Sequence, residues 1–236
     1  MLVGAQAVYL HVGEGDLAVP VMTTDGDLAV DPTRLHALPL VAQAMADGGF
    51  VMSQPGCWRG AGDVVIDLMV PAAMAGRPGR RGADLGVHGT LAARQAKGLE
   101  AAVVDFEKRA IVSLDPTDVR VVDVAVAGVA ALLVAKLHKI AERVGTKRAE
   151  DKDALDVVRL LRGSEATTVA RRLVELARDA RCSTVVHEAM VQLATLFATP
   201  DAAGNQMAGR AAFPAERSDV IAASGAILAS ELLRRV

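Results

Sequence analysis

The chain has 236 residues, enough for one large domain or two small ones around a substantial core. Its 52% hydrophobic and 23% charged residues place it among globular proteins. The longest uninterrupted apolar run, residues 124–135, is 12 residues long, too short to span a bilayer, so no membrane partner is expected.

The formal net charge of −2 says little about partners, but 20 of the 26 basic residues are Arg, in clusters at Arg77, Arg80 and Arg81, at Lys147 and Arg148, and at Arg171 and Arg172. The planar Arg fork suits phosphate, so local basic patches can serve phosphates on a near-neutral protein. Cys57 and Cys182 are isolated, with no ligand-like spacing, which argues for a reduced, cytosolic chain without a zinc site. Met1-Leu2-Val3 runs into Gly4 with no basic region or cleavage site, so no signal peptide is expected.

Leu2 and Val3 read as the end of a strand closing at Gly4-Ala5, and residues 6–11 as a short helix. Two residues pair poorly as a strand, so either a mis-assigned start or a genuine N-terminal trim is expected. Residues 12–22 look irregular and lead into Thr23-Thr24-Asp25-Gly26-Asp27-Leu28. In a strand, residues two apart share a face, so Asp25 and Asp27 stand side by side. Two close carboxylates repel; a divalent cation is one remedy, and a solvated acidic turn is the other reading.

Asp31-Pro32 opens a helix expected to run to about Asp47 and to stop at Gly48-Gly49. Residues 50–58 are extended or turning. Residues 64–70 are apolar except for Asp67 and read as a central strand covered on both faces. A carboxylate there needs a cation or a donor. Residues 75–89 form a basic loop, 91–97 a short helix, and 99–104, 110–114 and 119–126 strands.

From Val129 the pattern becomes helical, with Leu133, Lys136, Leu137, Ile140 and Val144 in one stripe. Lys136 lies inside that stripe, either snorkelling at its edge or aimed into a cavity that holds an anion. The next helix carries Lys152-Asp153-Ala154-Leu155-Asp156, whose two carboxylates share a face. Further helices are expected at 165–178, 185–199 and 220–234, joined by loops containing Pro200, Gly204, Gly209 and Pro214. The change from strands to helices divides the chain into residues 1–127, α/β, and 128–236, all helical. Gly163-Ser164 is the best candidate boundary in the chain.

A strand ending in Gly-Ala, a short helix, a strand with Asp-x-Asp and a third Asp on a later central strand follow the order used by nucleotidyltransferases of the DNA polymerase β superfamily. Gly4-Ala5-Gln6-Ala7, Thr24-Asp25-Gly26-Asp27-Leu28, Ala135-Lys136-Leu137-His138 and Lys152-Asp153-Ala154-Leu155-Asp156 narrow the likeness. Over residues 2–162 the chain resembles the AbiEii-type toxins, the group that includes the MenT toxins. The resemblance implies a nucleotidyltransferase-like mixed sheet with flanking helices, followed by an all-helical part.

It also implies a cytoplasmic Mg²⁺-dependent transfer of NMP from an NTP to the 3′ end of tRNA, and a cognate antitoxin partner. Carried over, Asp25 and Asp27 bind the metal. Asp67 completes that site or acts on the attacking hydroxyl. Lys136 contacts the triphosphate, and Asp153 is the later catalytic carboxylate, perhaps joined by Asp156. Gly4, Ala5, Thr24, Lys147 and Arg148 fall at nucleotide-binding positions. The family usually has Ser or Gly where this chain has Ala5, so only backbone donors remain there. A small hydroxylated acceptor such as an aminoglycoside, or a catalytically silent interaction protein, are the alternative readings.

Overall fold

The computed structural model describes residues 1–13, 17, 23–76, 82–113, 115 and 117–236. Arg77, Arg80 and Arg81, and most of the irregular stretch before Thr23, lie outside the described residues. The architecture is mixed α/β, one eight-stranded sheet with eight α-helices among the described residues, most of them in the C-terminal part.

The strands are β1 (Leu2–Val3), β2 (Asp25–Ala29), β3 (Val51–Gln54), β4 (Cys57–Arg59), β5 (Val65–Pro71), β6 (Arg94–Ala96), β7 (Phe106–Val112) and β8 (Val121–Ala127). They lie in the order β3-β4-β5-β2-β1-β8-β7, and β6 also pairs with β5. The two residues of β1 are held between neighbours, antiparallel to β2 and parallel to β8. β5 runs parallel to β2 on one side, and its other side is shared between β4 and β6.

Because side chains alternate along a strand, β5 serves two cores. Leu68 and Val70 pack with Trp58, Leu85 and Ala93 on one face. Met69 belongs to the larger core on the other face, the face that Asp67 also occupies. That larger core is continuous from Leu2, Val8 and Val126 of the sheet region to Leu132, Val157, Leu173, Leu193 and Ile221 of the helices. A single apolar interior thus joins the two parts on either side of residue 128. Full burial of a side chain such as Leu133 or Leu137 contributes about 1.5–3 kcal/mol each.

The helices are α1 (Gly4–Val12), α2 (Val41–Asp47), α3 (Val129–Arg143), α4 (Asp151–Arg162), α5 (Ala166–Arg178), α6 (Ser183–Phe197), α7 (Ala203–Ala212) and α8 (Ser218–Leu233). No helix of the described residues is long and apolar enough to cross a membrane.

Four elements differ from the sequence expectation. The single helix expected over 31–47 is a 3₁₀ turn at Pro32–Arg34 followed by α2. Asp31 does cap the turn, accepting from the Thr33 N–H, but Pro39 has no N–H to give and its ring obstructs a continuing helix. Residues 91–97 hold a strand, β6, because a short isolated helix is marginal and β5 offers an unpaired backbone edge.

The stretch 99–104 is a 3₁₀ helix at Glu100–Val103, not a strand. Buried Glu100 accepts the N–H of Gly98 at 2.8 Å and of Ala73 at 3.0 Å, which folds the chain back there. Helix α7 occupies what looked like a loop. A Cβ at Gly204 would come within 2.6 Å of the Phe197 ring, and one at Gly209 within 2.7 Å of the Ser218 backbone. These glycines permit close helix packing instead of breaking the helix.

Candidate functional site

Strand β2 presents Asp25 and Asp27 on one face, and the parallel register with β5 puts Asp67 directly beside Asp27. The first turn of α1 comes from the opposite side. Gly4 has φ +71°, and a Cβ there would stand 2.0 Å from Asp27 Oδ2. Glycine is required at this position because both the backbone conformation and the carboxylate exclude a side chain.

The facing wall comes from α3 and α4. The 3.6-residue period places Lys136, Lys139 and Arg143 along one side of α3. Lys136 Nζ donates at 2.7 Å to both Asp153 Oδ1 and Asp156 Oδ2. Their side chains are 6%, 2% and 1% exposed, so this is a sealed cluster. Lys139 adds a 2.9 Å ion pair to Asp153, and Arg159 Nη1 donates to Asp156 Oδ1 at 3.1 Å while lying over the Tyr9 ring.

Burial alone would lower the Lys136 pKa, but Asp156 and Asp153 outweigh it and hold the ammonium above its ordinary range. Burial likewise pushes the Asp153 carboxyl up, and Lys136 and Lys139 more than reverse this, leaving it below the usual carboxylate range. At Asp27 burial prevails: its carboxyl is pushed up, Lys139 opposes the shift, and neighbouring Asp25 reinforces it. The Thr23 hydroxyl donates to Asp25 and holds that carboxyl down.

Two cavities meet at these residues. A small one of about 110 Å³ is lined by Asp25, Asp27, Asp67 and Asp153 with Arg94, Lys136, Lys139 and Lys152. A larger one of about 630 Å³ lies against Asp27, Asp67 and an apolar floor of Val3, Met69, Leu99 and Leu132. Six cationic side chains line it: Arg94, Lys97, Lys136, Lys139, Arg143 and Arg148. Its volume is in the range of small-molecule and cofactor sites.

The five residues assigned catalytic roles from the sequence, Asp25, Asp27, Asp67, Lys136 and Asp153, therefore all line the small cavity. Gly4 and Arg148 line the larger cavity and Ala5 the smaller. Thr24 and Lys147 are exposed and line neither; the threonine that reaches the carboxylates is Thr23. Lys136 borders both cavities, but its ammonium is already neutralised by two carboxylates.

Arg94, Lys139 and Arg143 were not singled out from the sequence. Lys139 and Arg143 follow Lys136 at helical spacing, a signal that was there to use. Arg94 Nη2 donates to Asp67 Oδ2 at 2.8 Å and supplies the donor that a carboxylate in an apolar strand demands.

Among the described residues, no three His, Cys, Asp or Glu side chains form a ready metal-binding group. Asp25 and Asp27 nevertheless have the right chemistry for a hard cation. They are same-face carboxylates without an ion-pair partner within 4.0 Å among the described residues, and burial and mutual repulsion load Asp27 against ionisation. Mg²⁺ fits such a pair if phosphate oxygens and water complete its shell.

No family model, no curated protein and no solved structure matches this chain.

Proposed function

We propose that this protein is a Mg²⁺-dependent nucleotidyltransferase, which moves NMP from an NTP to a hydroxyl of an acceptor. The observation that carries the reading is the arrangement of charge around one cleft, with Asp25, Asp27 and Asp67 on the sheet, Arg94 of β6 beside Asp67, and a row of cations from α3 opposite. An NTP needs both: cations for its phosphates and carboxylates for the ion that accompanies them. Bound Mg²⁺ would neutralise charge on the phosphates.

Asp25 and Asp27 hold that ion. Lys139, Arg143 and Arg148, which border the larger cavity, bind phosphate oxygens. Asp67 takes the proton of the attacking acceptor hydroxyl. The new O–P bond forms at the α-phosphorus as the bond to pyrophosphate breaks, so pyrophosphate leaves with its electron pair. Lys136 and Asp153 act from behind, fixing α3 and α4 so that Lys139 faces the carboxylates.

The acceptor proposed is the 3′ end of tRNA, with the chain acting as the toxin partner of an antitoxin. A small hydroxylated acceptor is the second reading. It is favoured by the absence of any aromatic side chain among the described residues that line the two cavities, since aromatic stacking is a usual grip on single-stranded nucleic acid.

Incubation with each labelled NTP, Mg²⁺ and either total tRNA or an aminoglycoside mixture tests this. Label on RNA supports the first acceptor and label on small molecules the second. Asp27→Asn is expected to reduce transfer by about 10²–10³-fold, the scale set by removing one preorganised electrostatic group. Undiminished transfer in that variant removes Asp27 from the site, and no label on any acceptor with any NTP defeats the reading.

A further inference from the structure

Resting on the nucleotide reading, we propose that Arg94 exchanges partners, holding Asp67 while the cleft is without nucleotide and turning to the polyphosphate when one enters. Arg94 and Asp67 both line both cavities, so the guanidinium stands where the carboxylate wall meets the cationic one. The parallel register of β6 on β5 sets Arg94 opposite Met69, two residues beyond Asp67 on the same face of β5.

The pair is built to open. Its side chains are 31% and 20% exposed, whereas those of the Lys136 cluster are almost fully covered. A partly exposed ion pair is worth little, and a phosphate offers Arg charge-assisted, bidentate bonds that compensate its departure.

The same arrangement says what must accompany the exchange. Asp67 without Arg94 would leave a second bare carboxylate directly beside Asp27, with Asp25 two residues away on the same strand face. The polyphosphate therefore recruits Arg94 at a lower penalty when a cation reaches the carboxylates than when none does. Nucleotide and divalent cation become thermodynamically coupled through the Asp67–Arg94 pair, each tightening the other's binding by the same factor. Arg94 is on this account both a phosphate ligand and the restraint that keeps Asp67 from acting before the substrate is present.

The coupling can be read without catalysis. Binding of inorganic tripolyphosphate to the full chain in EDTA is measured by calorimetry for the wild type, Asp67→Asn, Arg94→Gln and the double variant. Asp67→Asn releases Arg94 and is expected to tighten binding about tenfold, and Arg94→Gln to weaken it about tenfold. On the Arg94→Gln background, Asp67→Asn is expected to gain no more than about twofold.

An equal gain on both backgrounds means that Asp67 acts as a general negative charge, and it overturns the exchange while the nucleotide reading stands. Wild-type protein that binds neither tripolyphosphate in EDTA nor an NTP with Mg²⁺ overturns both. If Arg94→Gln does not fold, Arg94→Lys replaces it. That change keeps the charge and loses the fork, so the gain from Asp67→Asn should fall to about threefold, and an undiminished gain overturns the exchange.

Discussion

The ion cluster between α3 and α4 and the carboxylates on β2 and β5 are built from the same residue types, a few side chains apart, yet they differ in closure. In the cluster, Lys136 and Arg159 neutralise Asp153 and Asp156 and all four are sealed from solvent, with the partly exposed Lys139 at the edge that faces the cavity. On the sheet, Asp25 and Asp27 have no cation within ion-pair distance among the described residues, and Asp67 has one in a partly exposed pair. A closed set of charges carries structure. An incomplete set at a cavity invites a ligand whose charge completes it.

The sharpest way to break this comparison is to open the closed set. Lys136→Ala leaves two buried carboxylates short of their principal cation, and a loss of about 3–5 kcal/mol in urea unfolding is expected. A loss below about 1 kcal/mol would mean that the cluster is not structural, and Lys136 would return as a direct phosphate ligand. The pH dependence has a definite sign. The Asp153 contribution is fully present above the ordinary carboxylate value of about 4 and is lost as the pH falls through its depressed folded value. The Lys136 contribution is present below the ordinary lysine value and disappears only as the pH rises through its raised folded value. Unfolding curves should therefore be flat on this account between those limits.

A smaller effect is expected where α1 meets the open set. Gly4→Ala puts a non-glycine residue at φ +71° and a methyl group against Asp27, and should destabilise the fold by about 1–3 kcal/mol. Binding of Mg²⁺, followed by thermal shift, should weaken with it. Intact metal binding in Gly4→Ala would show that Asp27 is not the ligand.

The smallest effect runs the opposite way. Burial raises the Asp27 pKa, so its ionisation subtracts stability as the pH rises from the ordinary carboxylate value through the raised one. Asp27→Asn removes that burden. The metal-free variant should match the wild type in acid and exceed its unfolding temperature slightly near neutrality, even though the proposed transfer is expected to fall. A variant less stable than the wild type at neutral pH would place Asp27 with the structural charges and erase the distinction.

Much of the site was legible because it depends on period alone. The two-residue repeat of a strand puts Asp25 and Asp27 on one face, and the apolar stripe of α3 with Lys136 inside it marks a cation turned toward the interior. The helices α5, α6 and α8 were readable in the same way, within a few residues at their ends. Helix α7 was not, since a glycine that allows close packing and a glycine that ends a helix look identical until the neighbouring ring of Phe197 is known.

The sequence by itself determined the inventory: which carboxylates share a strand face, that Lys136 lies inside an apolar helix stripe, and that Asp67 in its apolar strand needs a cation or a donor. The tertiary structure decided the pairing. Asp67 found Arg94, 27 residues away, through a parallel strand contact that no local pattern encodes, and Lys136 found Asp153 and Asp156 rather than open space. Periodicity is a property of neighbouring residues, whereas the neutralisation of a charge depends on whatever the fold brings within about 3 Å of it.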